Sequence, residues 1–284
     1  MIAYPVVVDG VLTRVLEAGE GDRAVVFLHG GNSNANRWRG TLQDLEGSGY
    51  RLFAFDLPGH GFAIERGDMV LGVPAFADYL GGLLEALELD RPVVVGASLG
   101  GHVSGMFTAH HPESVGTLVL VGPAGMKYWD LDERTRIWKM NTNVTREGVT
   151  TSLRHLVQGT SEPTQSEIDE EFHLKSNPQF RANMAAMAEY MTSPGWENDL
   201  VADELAKVTT DVPTYVIWGG DDHSFPAEEW ARDVHAALPG SRLAVIDGTG
   251  HNPHLERPEL FEAVLVDILE GHLGDPERAD VHYS

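Results

Sequence analysis

The sequence predicts an α/β fold built on a mostly parallel, eight-stranded sheet flanked by helices. Three observations carry that expectation. Short β-branched runs alternate with helix-like stretches, the pattern of parallel βα units. Several runs are almost wholly apolar (AVVFLH, RPVVVGA, TLVLVG, TYVIWG), as strands covered on both faces must be. One long stretch, residues 125–208, has no strand-like run and interrupts the alternation.

In chain order, strands are expected at 5–8, 12–17, 24–29, 50–56, 92–97, 115–121, 213–219 and 241–247. The first two, joined at Gly10, read as an antiparallel hairpin on the sheet edge. Helices are expected at 36–46, 74–89, 99–111, 227–237 and 258–273. Between the sixth and seventh strands, Trp, Met and Tyr recur among charged residues, which reads as a helical lid over the strands' C-terminal ends. The organisation expected is therefore a core of residues 1–124 and 209–274 with a lid of 125–208. A polar tail, 275–284, is expected to fray.

Composition narrows the function. The 284 residues carry 43 Asp and Glu against 20 Lys and Arg, a formal charge of −23. A field of that sign repels nucleic-acid phosphates and anionic lipid headgroups, so neither is an expected partner. A small-molecule substrate is expected instead. With no cysteine, disulfides, thiol nucleophiles and thiolate metal sites are excluded. The longest apolar run is too short to cross a bilayer, and no leader-like segment opens the chain. A cytoplasmic setting is the expectation. The thirteen histidines include no i, i+4 pair with a carboxylate base, and no cofactor or metal is expected.

The chemistry concentrates in three loops. Gly96-Ala97-Ser98-Leu99-Gly100-Gly101 follows a buried strand and opens a helix. G-x-S-x-G in that context lifts a serine hydroxyl onto a sharp turn above the sheet, at a helix N-terminus that favours negative charge. A serine nucleophile needs a base, and the base needs an acid that holds its tautomer. After Ser98 the chain offers Gly219-Gly220-Asp221-Asp222 behind one strand and Gly248-Thr249-Gly250-His251 behind the last. Both lie at strand ends, where open α/β sheets put their sites. Of the adjacent acids, Asp222 is expected to meet His251 while Asp221 faces water. His223 and His254 are expected to be exposed loop imidazoles. An oxyanion needs two backbone donors. The expected pair is Leu99, just after the serine, and Gly31 in the loop His29-Gly30-Gly31-Asn32.

HGG (29–31), DLPGHG (56–61), GASLGG (96–101), WGGDD and GTGH, in this order, resemble the α/β-hydrolases over nearly the whole chain. The resemblance implies the α/β-hydrolase fold, Ser98, Asp222 and His251 as a triad, and Leu99 and Gly31 as oxyanion donors. It also implies that Asp56 to Gly61 is a structural turn, with His60 architectural. Aspartate replaces the serine in epoxide hydrolases and haloalkane dehalogenases, so those branches are excluded. HGGNSNANRW, GPAGM and SEIDEEF look similar to the C–C hydrolases that cleave meta-cleavage products. Those enzymes usually carry an asparagine before the serine, a tryptophan after the histidine and a lid arginine. Here Ala97, Asn252 and the acidic stretch at Glu170 and Glu171 stand instead. The expected activity is hydrolysis of a small, largely apolar carboxylic ester or lactone, with C–C cleavage of a vinylogous diketone acid as the alternative.

Overall fold

A computed structural model of the chain describes residues 1–65, 67–157, 162–275 and 277–284. Nine strands join in one sheet: β1 (Ile2–Val8), β2 (Val11–Ala18), β3 (Arg23–Leu28), β4 (Tyr50–Phe55), β5 (Val93–Ala97), β6 (Thr117–Val121), β7 (Thr214–Gly219), β8 (Arg242–Ile246) and β9 (Val281–Tyr283). Their order is β1-β2-β4-β3-β5-β6-β7-β8-β9. From β4 to β8 all neighbours are parallel, while β1, β2 and β9 run antiparallel to theirs. The central strands are buried almost throughout, which is why they read as unbroken apolar runs.

Six helices belong to the alternating part of the chain: α1 (Arg39–Asp44), α2 (Val73–Ala86), α3 (Leu99–His110), and, after the helical insertion, α9 (Trp230–Ala237), α10 (Pro253–Glu256) and α11 (Pro258–Glu270). The helix expected from residue 36 begins instead as a 3-10 turn, Ala35–Trp38, capped by the Asn34 side chain. Between β6 and β7 lie α4 (Leu131–Asn141), α5 (Arg146–Leu156), α6 (Gln165–Ser176), α7 (Pro178–Met191) and α8 (Ala202–Leu205). Their starts carry ordinary sequence signals: Asp130, Thr145, Thr164 and Asn177 each accept from the first-turn amides, and Thr164 with Glu167 forms a capping box. Residues 158–161 of the expected lid and Pro276 of the expected tail lie outside the described residues.

The tail corrects the expectation of eight strands and a frayed end. Residues Val281–Tyr283 pair antiparallel with β8, and Leu243 and Ser284 exchange backbone hydrogen bonds of 2.8 and 2.9 Å. Arg278 brings the segment in by pairing with Asp267 of α11 at 2.7 Å, and Val281 is buried. One buried valine among charges leaves no apolar run to read, and the pairing depends on a partner strand that is distant in sequence.

Order reverses around β3, with β4 on one side and β5 on the other. The loops leaving β3 and β5 therefore diverge and open a crevice at the strands' C-terminal ends. Asp56, at the end of β4, braces one wall of that crevice. Fully buried, it accepts from Arg14 Nε at 3.0 Å and Nη2 at 3.1 Å, from the Ala35 amide at 2.8 Å and from the Phe62 amide at 3.1 Å. Asp56→Ala is expected to lower stability by about 3 kcal/mol, the low end for breaking a buried pair because Arg14 reaches solvent. Chemical denaturation measures it, and a loss below about 1 kcal/mol would mean that the loops hold themselves.

Candidate active site

Ser98 stands between β5 and α3 at φ 52° and ψ −114°, a conformation costly for a residue with a side chain. Three backbone hydrogen bonds hold the turn: the Ser98 amide donates to Val121 O at 2.9 Å, and Ser98 O accepts from His102 at 3.1 Å and Ala124 at 3.0 Å. The helix starts so close to β3 that a Cβ at Gly100 would lie 2.6 Å from Leu28 O. Only glycine permits that approach. Leu99 is the first residue of α3, where the helix supplies no acceptor for the amide. Leu99, Gly31 and Ser98 line one cavity.

The other side of the cavity comes from the loops after β7 and β8. His251 Nδ1 donates to Asp222 Oδ2 at 2.7 Å. Asp222 Oδ1 accepts from the Ser224 and Phe225 amides at 2.8 and 3.0 Å, so the carboxylate cannot turn away. With Nδ1 committed to the carboxylate, Nε2 remains as the basic nitrogen of His251. Asp221 is exposed and takes no part in this pair. Glu256 holds the histidine loop from behind, accepting from the Gly250 amide at 2.8 Å and the Asn252 amide at 3.0 Å. His251 lines the same cavity as Ser98, although among the described residues no hydrogen bond joins the two. Such contacts are often long until substrate binds.

Burial disfavours the charged imidazolium of His251, but the charge and hydrogen bond of Asp222 outweigh it and leave the pKa above the ordinary histidine value. The loop after β3 shows the opposite case. His29 is buried and pushed down to about 4. Its Nε2 accepts from the Leu57 amide at 3.0 Å, and its Nδ1 lies 2.7 Å from Gly30 O. A neutral His29 thus ties the glycine loop to the turn at Asp56. His60 is likewise buried, pushed down to about 3, and does not line the cavity.

The helical insertion closes the cavity with Trp129, Trp138, Met140, Leu156 and Met191. It also touches the two loops directly. Asn252 Nδ2 donates to Leu156 O at 2.8 Å, and His155 Nε2 lies 3.3 Å from Ser224 Oγ. Burial and the neighbouring His251 lower the His155 pKa.

One expectation changes, and one residue is added. His254, expected to be an exposed imidazole, is buried and stacked on Trp38 with ring centroids 4.1 Å apart. Arg37 stands in the HGGNSNANRW run, which gave it no role of its own, yet it lines the cavity and its Nη2 donates to Glu171 Oε1 at 2.6 Å. In the acidic stretch of the insertion, Glu171 is thus paired where it meets the core. Arg154 is exposed and paired with Glu162, and Arg181 reaches the Lys175 carbonyl. Among the described residues no group of three or more His, Asp or Glu could hold a metal ion, and no helix is long and apolar enough to cross a membrane.

Comparison with known proteins agrees with this architecture. A family model described as alpha/beta hydrolase fold matches residues 23–258. The 2-hydroxy-6-oxononadienedioate/2-hydroxy-6-oxononatrienedioate hydrolase of Cupriavidus pinatubonensis is 27% identical over 273 residues, covering 89% of each chain. The 2-hydroxy-6-oxo-6-phenylhexa-2,4-dienoate hydrolase of Comamonas testosteroni is 27% identical over 272 residues, again covering 89% of each. In fold alone, the chain is similar to a serine hydrolase of the polyaromatic-hydrocarbon degrader Cycloclasticus zankles. That match has a TM-score of 0.84 at 21% identity and covers 96% of this chain and 99% of the other. An esterase from Exiguobacterium antarcticum matches with a TM-score of 0.78 at 22% identity, covering 95% and 100%. With strand order, serine turn and family match in agreement, the chain belongs to the alpha/beta hydrolase family.

Proposed function

We propose that the chain is a serine hydrolase with Ser98 as nucleophile, His251 as general base and Asp222 as the acid that orients it. Its substrate is a small, largely apolar carboxylic ester or lactone. The observation that carries the reading is the 2.7 Å Asp222–His251 pair on the cavity that Ser98 lines. Ser98 Oγ attacks the carbonyl carbon as His251 Nε2 takes its proton. The oxyanion is held by the amides of Leu99 and Gly31, donors that cost no rearrangement at the moment of reaction. Collapse breaks the C–O bond, and His251 returns the proton to the departing alkoxide. Water, deprotonated by the same histidine, then releases the acid and restores Ser98. Residues 125–208 act as a lid on a core of 1–124 and 209–274, which keeps the acyl-enzyme in an apolar setting. Val281–Tyr283 adds the last strand at the sheet's edge.

C–C cleavage is the second reading. It is favoured by the relatives named for dienoate and dienedioate hydrolysis and by the cation Arg37 on the cavity wall. Ala97 and Asn252, where those enzymes usually have asparagine and tryptophan, keep the ester reading first.

Three outcomes are expected. Ser98→Ala should fold, lose turnover by about six orders of magnitude and no longer react with a fluorophosphonate probe. Labelling elsewhere with full activity would remove Ser98 from the mechanism.

Only neutral His251 can accept the serine proton, so kcat/KM should fall as pH drops through its pKa. Because Asp222 raises that pKa, the limb should lie above the ordinary 6.5. In Asp222→Asn, where burial acts unopposed, residual activity should show the limb moved to lower pH. A limb that does not move separates Asp222 from the base.

A neutral aryl ester should be turned over better than an aryl dienoate on the same preparation. A dienoate preference above about tenfold, roughly 1.4 kcal/mol of transition-state binding, would put C–C cleavage first.

A further inference from the structure

The cavity that Ser98 lines also holds polar side chains contributed by the core. Asn32, Arg37 and His254 line it, and Asn32 and His254 are more than nine-tenths buried. Asn32 Oδ1, Arg37 Nε and His254 Nδ1 are all buried without a hydrogen-bond partner among the described residues. What sets these three apart from other buried unpartnered groups of the chain is that they line the cavity of Ser98, where a ligand can reach them.

The charge around them points the same way. Glu171 Oε1 accepts from Arg37 Nη2 at 2.6 Å and from Asn34 Nδ2 at 3.2 Å, while its Oε2 lies 3.6 Å from Lys175 Nζ. Lys175 and Glu171 are 3% and 7% exposed, and Arg37 is 16% exposed. This enclosed group holds two basic side chains and one carboxylate. The next acid, Glu170, is exposed and bonds to Asn36 at the outer surface. A buried charge without its own counter-charge is costly, and an incoming anion offsets that cost. Glu171 takes one edge of the guanidinium and leaves Nε unused. Asn32 can present its amide nitrogen by a rotation that leaves the side chain's shape unchanged. Neutral His254, pushed down to about 3 by burial, carries one ring hydrogen that Nδ1 can donate. Together these give the cavity a set of donors that includes one cation.

We infer that Asn32, Arg37 and His254, braced by Glu171 and Lys175, form an anion subsite that receives a carboxylate carried by the substrate. The preferred substrate is then an acid ester, with its scissile carbonyl at Ser98 and a free carboxylate at Arg37. The inference rests on the serine-hydrolase reading, and it applies equally if the bond cleaved is C–C. Arginine suits the role through charge-assisted donors in a fixed fork, which a flexible ammonium does not match.

The test uses two esters matched in length, p-nitrophenyl pentanoate and mono-p-nitrophenyl glutarate, with the full-length protein. Wild type should favour the glutarate in kcat/KM by about tenfold or more. The glutarate-to-pentanoate ratio should drop at least tenfold in Arg37→Gln, mainly through KM. Arg37→Gln combined with Glu171→Gln should show the same drop without leaving a buried acid unpaired. Melting curves identify any variant that has not folded, and the double variant then decides. Glutarate should also bind the folded Ser98→Ala protein in calorimetry, and that binding should vanish when Arg37→Gln is added. Equal turnover of both esters by wild type, an unchanged ratio in the folded variants, or glutarate binding that survives Arg37→Gln would each overturn the subsite. Those results would leave the serine mechanism standing, whereas full turnover of both esters by Ser98→Ala would overturn the mechanism itself.

Discussion

The first turn of α3 packs against the end of β3 so closely that Gly100 has no room for a side chain beside the carbonyl of Leu28. Because the helix cannot retreat, the residue before it must make the bend, and Ser98 is held at positive φ. The strain is not spread through the fold. It is offset by three hydrogen bonds from β6, α3 and the loop that leads into the insertion. Parallel pairing of β3 with β5, Leu28 opposite Gly96, then sets the serine turn beside the glycine loop. The hydroxyl, the amides of Leu99 and Gly31, and the cavity all follow from that one contact.

Carboxylates that are buried or partly buried do much of the remaining positioning. Asp56 gathers the glycine loop and the turn after β4, Asp222 fixes the tautomer of His251, and Glu256 accepts two amides of the histidine loop. Glu171 performs the same service for Arg37. Each acid is matched by hydrogen-bond donors, so in a chain with a formal charge of −23 the carboxylates around the cavity are individually satisfied. Surface acidity and site electrostatics are therefore separate matters here. Screening weakens the first, while low-dielectric surroundings strengthen the second.

The insertion supplies shape where the sheet supplies chemistry. Its aromatic and methionine side chains make the apolar wall, and α5 bonds to the loops of both His251 and Asp222. Helix α5 thus touches the loop of His251 at Asn252 and the loop of Asp222 at Ser224, and there the insertion and the two loops meet.

By itself, the sequence determined the alternation of strands and helices, the hairpin at the edge, and the loops that carry Ser98, Asp222 and His251. Those features are local: apolar runs, glycines before and after a serine, and polar loops at strand ends. Asp222 could be chosen over Asp221 only by weighing which acid would be buried, and the structure provides the bond that separates them. Strand β9 was illegible because its pairing is made with a strand some forty residues earlier and leaves one buried valine. Arg37 and His254 were illegible for a related reason. Arg37 stands in the short 3-10 turn Ala35–Trp38, and its meaning depends on Glu171, which α6 brings to it. The stacking of His254 on Trp38 likewise joins residues from opposite ends of the chain. Burial of a charge or an imidazole is decided by what packs over it, and only the tertiary structure brings that partner into place.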